Sequence, residues 1–352
     1  MRKIILSILI VFCFIQVKAQ SRQFYHQYML NPGMFNPANM DIFTKYGTTF
    51  VYSNDFMGSS YSPLSIGVNS YYNYRPNQGF GATIINDNFG KYNQLEIAGN
   101  AAYKTFTRSS GGVSMSYGAR LGFTQRSLNT TKLYYESYTK NGIYDPVLGD
   151  QASVSAMGFN LGVGFALVTP KFDLNLSLPA FFGQRLPSSG VDSLPTKRSA
   201  FEATLSNFML SAGYKIRFDN DWYVFYPTMM VKGAANAPIQ AGVDLNFLFN
   251  QLVFAGVGFR SDMTIASNIG VFLDLGWRFV YSYQNTLLTQ HPGTGFNHEF
   301  TVGYARTIPE NPFNWRKFTN SKGEVKDSKK ILKIKMPRMR WLKKIAGKMK
   351  YD

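Results

Sequence analysis

The side chains that most often carry acid–base, nucleophilic or metal chemistry are sparse in this chain of 352 residues. Its three histidines, His26, His291 and His298, are too few and too scattered to indicate a metal site. The sequence contains no G-x-S-x-G, H-E-x-x-H or G-x-x-x-x-G-K-S/T motif. Catalytic triads assemble in space rather than in sequence, so a surface hydrolase stays open as the weakest alternative. We predict no catalytic, cofactor-binding or metal-ligating residue.

The start of the chain, residues 1–19, has the pattern of a secretory signal peptide. Arg2 and Lys3 precede an apolar stretch, and Ala19 ends a small-residue cleavage site. The only cysteine, Cys13, lies inside this segment, so the mature protein is predicted to have no disulfide and no thiolate metal site. No later run of about 18 apolar residues occurs, and we predict no transmembrane helix.

Polar and charged side chains recur at every second position of several long stretches. Between residues 241 and 249, large apolar side chains alternate with small or polar ones: Val243, Leu245 and Phe247 against Gly242, Asp244 and Asn246. A period of two places the two sets on opposite faces of a strand. In a soluble sheet the apolar face packs on a second layer, whereas in an outer-membrane barrel it faces lipid. Frequent glycine on the polar face favours the barrel, because glycine fits where side chains crowd inward.

Strand-like runs of this kind cover most of the chain after residue 42. We place fourteen of them, near 43–52, 64–73, 79–86, 94–106, 111–124, 131–136, 156–168, 171–178, 207–218, 222–232, 239–249, 252–260, 267–283 and 295–306. An even count is typical of a single-chain bacterial barrel, and closed barrels alone let strands satisfy their backbone in lipid. The sequence therefore predicts an all-β fold: one transmembrane antiparallel β-barrel of about 14 strands over residues 42–308.

Three features qualify this strand array. Residues 137–155 and 179–206 are rich in Gly, Pro, Ser and Asp and are predicted as loops. Pro227 lies within a strand candidate and predicts a bulge or a break. Charged side chains on the polar faces predict a salt-bridge network inside the barrel, and a selective pore is the alternative. These side chains are Arg120, Lys215, Arg217, Asp244, Arg260, Asp274, Arg278 and Glu299.

Residues 20–41 carry two Asn-Pro steps, Asn31-Pro32 and Asn36-Pro37, and are predicted as an extended segment that tethers or plugs the barrel. With Gln23-Phe24 and Tyr28-Met29, these steps resemble the opening of the PorP/SprF family of the type IX secretion system. The resemblance continues in order through Gly79–Thr83 with Asn86, Asp87 and Gly90, then Val113–Phe123, Asn175–Pro179, Val231-Lys232 with Ala237-Pro238, and His298-Glu299. It departs at Gln284, where the family usually has Asp.

The resemblance implies an outer-membrane protein of the export and gliding motility machinery of Bacteroidetes. It implies binding of a secreted adhesin, or of its C-terminal domain, for secretion or surface anchoring, and contact with the periplasmic ring and its lipoproteins. The candidate partner-binding residues are Asn31, Pro32, Asn36, Pro37, Asp87, Gly90, His298 and Glu299. From the residues alone, we interpret His298 and Glu299 as a strand-end hydrogen-bonding pair. A porin-like channel for small solutes is the main alternative function.

Residues 309–352 form a basic tail that the resemblance does not cover. From residue 316 onward, fourteen basic residues stand against three acidic ones, which gives +11 of the chain's formal charge of +17. Apolar residues at helical spacing predict a partly helical, amphipathic, periplasmic tail that binds outer-membrane lipid or a partner. The candidate contact residues are Arg340, Trp341, Lys343 and Lys344. We predict no nucleic-acid partner, because an exported protein rarely meets one.

Overall fold

The computed structural model describes residues 25–40, 44–57, 62–75, 77–107, 113–129, 153–169, 171–185, 208–218, 223–233, 239–250, 252–273, 276–286 and 296–307. Within these ranges, no helix has the length and the apolar character needed to cross a membrane. Several sequence predictions concern residues outside the described ranges. They are the signal peptide, the strand at 131–136, the inward charge of Asp274, and the basic tail with Arg340, Trp341, Lys343 and Lys344.

The described chain forms one antiparallel sheet that closes on itself. Its strands are β1 Thr44–Asn54, β2 Leu64–Arg75, β3 Gln78–Phe89, β4 Tyr92–Thr107, β5 Val113–Asn129, β6 Ser153–Val168, β7 Phe172–Arg185, β8 Phe208–Tyr214, β9 Ile216–Phe218, β10 Tyr223–Gly233, β11 Gln240–Phe249, β12 Val253–Arg260, β13 Thr264–Phe272, β14 Trp277–Thr286 and β15 Phe296–Thr307. Neighbours pair in chain order, and β15 pairs back with β1. Because β8 and β9 are two parts of one strand position, the predicted 14-stranded barrel is confirmed.

The interruption between β8 and β9 lies opposite Pro227. β10 runs unbroken past this proline, and Pro227 pairs with Leu245 of β11. On its other side, β10 pairs with β9 up to Phe225 and with β8 from Thr228 onward. A proline has no N–H for the ladder, so the break expected from Pro227 falls in the neighbouring strand.

The sheet has an exposed apolar face and a buried polar face, as expected for a membrane barrel. The apolar side chains point outward, with Ile269 and Val257 more than half exposed. The polar side chains point inward, with Asp244 and Asn246 fully buried. A soluble sheet would bury the apolar set instead, so the structure decides between the two alternatives that the periodicity left open.

The two ends of the barrel differ in the length of their connections. We call the end where β1 begins at Thr44 and β15 ends at Thr307 the terminal end, and the other the loop end. Strands join through few residues at the terminal end, whereas residues 130–152 and 186–207 connect strands at the loop end. Short turns face the periplasm in bacterial barrels. Exposed aromatic side chains gather near the terminal end as an interfacial girdle: Tyr72, Tyr74, Tyr103, Tyr117, Tyr214, Tyr223 and Trp277.

Two sequence predictions of strand bounds are wrong. The run at 267–283 is two strands, β13 and β14, which pair antiparallel across a turn where Gly276 has φ +91°. The predicted loops at 137–155 and 179–206 overlap strands, because β6 begins at Ser153 and β7 continues to Arg185. β7 passes through Pro179 because its register with β6 shifts between Leu161 and Val163, and such an irregularity accommodates a proline.

Candidate functional site inside the barrel

Residues 25–40, here called the inner segment, lie inside the barrel. Their side chains are largely buried, and Met34 and His26 are fully so. They contact inward-facing groups on strands around the whole wall: Ser65, Arg120, Phe165, Ser177, Thr228, Asp244, Arg260, Ser282 and Glu299. The inner segment therefore lies in the lumen of the barrel and precedes β1 in the sequence.

Glu299 on β15 makes the first anchor of the inner segment. Its carboxylate accepts the backbone N–H of His26 over 2.7 Å and that of Gln27 over 2.9 Å. The Gln27 side chain donates in turn to Ser282 Oγ on β14 at 2.5 Å. Charge-assisted bonds of this type are stronger than neutral ones, and here they bind main-chain groups rather than a particular side chain.

The His26 ring is enclosed by charged groups of β11 and β12. Arg260 donates to His26 Nδ1 and, over 3.3 Å, to the His26 carbonyl, while His26 Nε2 faces Asp244 Oδ1 at 3.5 Å. Burial, followed by the charge of Arg260, lowers the pKa of His26 well below its ordinary value. The neutral ring can therefore accept a hydrogen bond at Nδ1. The Arg260 guanidinium also lies 5.6 Å from the centre of the Tyr28 ring.

Arg120 on β5 makes the second anchor. Its guanidinium donates to the carbonyls of Gly33 at 3.2 Å and Met34 at 2.8 Å. Its Nε donates to Asn100 Oδ1 at 2.8 Å, and Glu96 lies 3.7 Å away. A buried charge needs such partners, and two of them here are backbone carbonyls of the inner segment.

Asn36 makes the third anchor. Its Nδ2 donates to the Phe165 carbonyl of β6 at 2.9 Å, while its Oδ1 accepts the N–H of Ala38 at 2.9 Å. Ser177 on β7 donates to the neighbouring Phe35 carbonyl at 2.6 Å. The asparagine thus shapes its own turn and fixes that turn to the wall, which gives the second Asn-Pro step a physical role.

Glycines of the wall let the inner segment approach closely. A Cβ added to Gly118 would overlap the backbone nitrogen of Ala38, and one added to Gly164 would overlap Asn36 Oδ1. Glycine on the polar face therefore accommodates the inner segment as well as inward-facing side chains.

Three other predicted site residues are Asn31 and Asp87, which are buried, and Gly90, which lies in a turn. Asn31 is buried and precedes the short 3-10 turn Pro32–Met34, whose Met34 N–H bonds the Asn31 carbonyl over 3.2 Å. Asp87 is buried inside the barrel and accepts from Ser65, which also bonds the Tyr25 hydroxyl. Gly90 lies between β3 and β4 with φ +61°.

His298 and Glu299 do not form a pair. Adjacent residues of a strand point to opposite faces, and His298 contacts Tyr281, whose hydroxyl lies 2.8 Å from Nδ1, and the ring of Tyr283. The interpretation of a strand-end hydrogen-bonding pair is therefore wrong. Of the predicted site residues, the structure brings Asn31, Pro32, Asn36, Pro37, Asp87 and Glu299 together around the lumen.

Sequence reasoning missed several contributors to this site, among them His26, Ser177 and Asn69. Asn69 donates to the Gly33 carbonyl at 3.2 Å. The only available signal was their position in the inner segment or on the polar face of a strand, and many other residues share it. In the part of the chain that the structure describes, no three His, Cys, Asp or Glu side chains are placed to hold a metal ion. The site is equipped to bind polypeptide, chiefly through main-chain groups.

Comparisons with solved structures give distant likenesses to outer-membrane barrels. The CymD monoaromatic hydrocarbon channel has 11% identity and a TM-score of 0.45, covering 83% of this chain and 95% of its own. The Pseudomonas putida toluene transporter TodX has 10% identity and a TM-score of 0.42, covering 82% and 95%. The Acinetobacter baumannii protein Omp33 has 6% identity and a TM-score of 0.39, covering 76% and 100%.

A comparison with curated proteins gives no match. The family model described as type IX secretion system membrane protein PorP/SprF matches residues 17–304. This range includes the inner segment and nearly all of the barrel, and it confirms the resemblance that the Asn-Pro steps indicated. The chain belongs to the PorP/SprF family and is an outer-membrane component of the type IX secretion system.

Proposed function

We propose that this protein is a non-enzymatic binding component that holds a secreted adhesin, or the adhesin's C-terminal domain, at the outer membrane for secretion or surface anchoring. One observation carries the proposal: the inner segment lies in the lumen and is anchored to the wall through Glu299, Arg120 and Asn36. A barrel with an occupied lumen serves binding better than diffusion. Partners then engage the two ends rather than a channel.

The two ends offer different chemistry to partners. The longest connections, residues 130–152 and 186–207, join strands at the loop end, which faces outward, and we assign adhesin binding to that end. The terminal end leads into residues 309–352 with their excess of positive charge. We assign contact with the periplasmic ring and its lipoproteins to the terminal end, and specifically to Arg340, Trp341, Lys343 and Lys344.

The porin-like alternative requires the inner segment to leave the lumen. Its departure would strip a buried carboxylate, Glu299, and a buried guanidinium, Arg120, of hydrogen bonds to the segment's backbone. A hydrogen bond to a charged group is worth about 1.5–3 kcal/mol. A closed resting state is therefore expected.

The test is affinity purification of the tagged full-length protein from its native outer membrane, with mass spectrometry of the proteins recovered. A secreted adhesin recovered in stoichiometric amount supports the proposal. A protein recovered alone, which then conducts ions steadily in a planar bilayer, overturns it in favour of a channel. The control is the same purification with another tagged outer-membrane barrel of similar abundance. Proteins recovered in both experiments bind the resin, or bind outer-membrane barrels in general.

The role of the tail is tested by a charge-matched pair of variants. The triple variant Arg340→Gln, Lys343→Gln and Lys344→Gln removes three charges from the amphipathic stretch. Its control, Lys322→Gln, Lys326→Gln and Lys329→Gln, removes three charges earlier in the tail. Loss of ring lipoproteins in the first variant alone supports the assignment, and equal recovery from both contradicts it.

A further inference from the structure

Three aromatic and two basic side chains meet on the outside of the barrel at the terminal end. They form what we call the rim cluster: Lys45, Tyr46, Trp277, Tyr304 and Arg306. Tyr46 pairs with Arg306 across β1 and β15, and Trp277 pairs with Tyr304 across β14 and β15. The ring centres are 5.9 Å apart for Tyr46 and Tyr304 and 4.9 Å apart for Trp277 and Tyr304. The three rings make a continuous row.

The two cations lie together at the end of this row. Lys45 is the extra residue where the register of β1 and β15 shifts between Thr44 and Tyr46, and it is exposed. Arg306 is also exposed, and it is the cross-strand partner of Tyr46, the residue that follows Lys45. Among the described residues, neither cation has a carboxylate partner. Two adjacent positive charges without a counter-ion favour an anion between them.

The position of the rim cluster along the barrel wall indicates which kind of anion it meets. Trp277 belongs to the aromatic girdle near the terminal end, and such girdles lie at the level of lipid head groups. The terminal end faces the periplasm, because its connections are the short ones. The leaflet at this depth consists of phospholipid. We propose that the rim cluster binds the phosphate of an anionic phospholipid, with Lys45 and Arg306 on the phosphate and the aromatic row along the glycerol and upper acyl chain.

The arrangement differs from the rest of the girdle. At the neighbouring edge of β2, Arg75 lies over the ring of Tyr74 at 5.4 Å, so a single cation there is already placed on an aromatic face. At the rim cluster two cations, Lys45 and Arg306, lie at the same end of neighbouring strands. The chain then continues from Thr307 into the basic tail. Each basic residue near an anionic surface adds binding energy, and two side by side distinguish an anionic lipid from a zwitterionic one.

The test uses full-length protein in nanodiscs that contain phosphatidylethanolamine and a minor fraction of phosphatidylglycerol with a photoreactive head group. Irradiation followed by peptide mass spectrometry locates the label, so lipid bound by the tail is counted separately. We expect labelling of the peptides that contain residues 44–46 and 304–306. The double variant Lys45→Gln and Arg306→Gln should lose labelling there by roughly fivefold to 25-fold.

The matched control is Arg75→Gln, which removes a cation from the same girdle and should leave labelling of the rim cluster unchanged. Heat-modifiable migration on gels verifies that each variant is a folded barrel. Equal labelling in wild type and double variant overturns the proposal. So does equal labelling by a photoreactive phosphatidylethanolamine, or retention of lipopolysaccharide instead of phospholipid by the purified protein.

Discussion

Glu299 and His26 are 273 positions apart in the sequence, yet Glu299 Oε2 accepts the His26 backbone N–H over 2.7 Å. Glu299 lies on β15, which pairs with β1, and the inner segment leads directly into β1. β15 therefore closes the barrel through its backbone pairing with β1 and holds the inner segment through the inward-facing side chain of Glu299. Closure of the sheet and occupation of the lumen depend on the same strand.

Glu299→Gln is expected to loosen the inner segment without opening the barrel. A glutamine amide keeps one acceptor oxygen but turns an NH2 group toward a second N–H donor, so one of the two bonds is lost. We expect docking to weaken by about 1.5–3 kcal/mol. Hydrogen exchange of residues 25–40 in detergent measures this. His298→Gln, which alters the outward-facing neighbour, is the control, and equal exchange in both variants would contradict the anchor.

Arg120→Met is expected to destabilise the protein more than Glu299→Gln does. It removes the donor to the Gly33 and Met34 carbonyls and leaves the carboxylate of Glu96 without its guanidinium neighbour. Breaking a buried charge pair costs about 3–5 kcal/mol. Urea unfolding in liposomes measures the loss. Adding Glu96→Gln should restore part of it, and a double variant as unstable as Arg120→Met would show that the ion pair is not the cause.

Gly118→Ala is expected to displace the inner segment from β5. The added Cβ would overlap the backbone nitrogen of Ala38, and backbone cannot rotate away as a side chain can. We expect faster proteolysis within residues 25–40 and a lower unfolding temperature. Gly99→Ala on the adjacent β4 is the control, because the nearest atom to its added Cβ is Leu121 O at 4.0 Å. The interpretation fails if the two alanine variants behave alike.

The sequence was sufficient for the barrel because a period of two is local information. It predicted the closed antiparallel barrel, inward charges such as Asp244 and Glu299, and a disturbance at Pro227. It did not place every strand, because the run 267–283 is two strands and the run 131–136 lies outside the described residues. The division of the run 267–283 has a local sign in the sequence, because Phe272, which breaks its alternation, is the last residue of β13. The contacts of the inner segment could not be predicted, because each joins positions far apart along the chain. Periodicity states which face a side chain is on, and not which residue it meets there.

The second Asn-Pro step allows a graded test of the inner segment. Asn36 uses its amide NH2 toward the Phe165 carbonyl and its amide oxygen toward the Ala38 N–H. Asn36→Ala loses both bonds, at about 0.5–1.5 kcal/mol each. Asn36→Asp keeps the acceptor for Ala38 but sets a carboxylate against the Phe165 carbonyl, and a carboxylate cannot donate. We therefore expect the aspartate variant to be less stable than the alanine variant.

Hydrogen exchange of residues 25–40 and the thermal midpoint of the gel-shift transition rank the Asn36 variants. Asn88→Ala removes an exposed asparagine from β3 and should match wild type in both measurements. An aspartate variant as stable as wild type would mean that the Phe165 bond does not hold the segment. An alanine variant less stable than the aspartate variant would mean that the turn to Ala38 outweighs the bond to the wall, because the aspartate keeps only the turn.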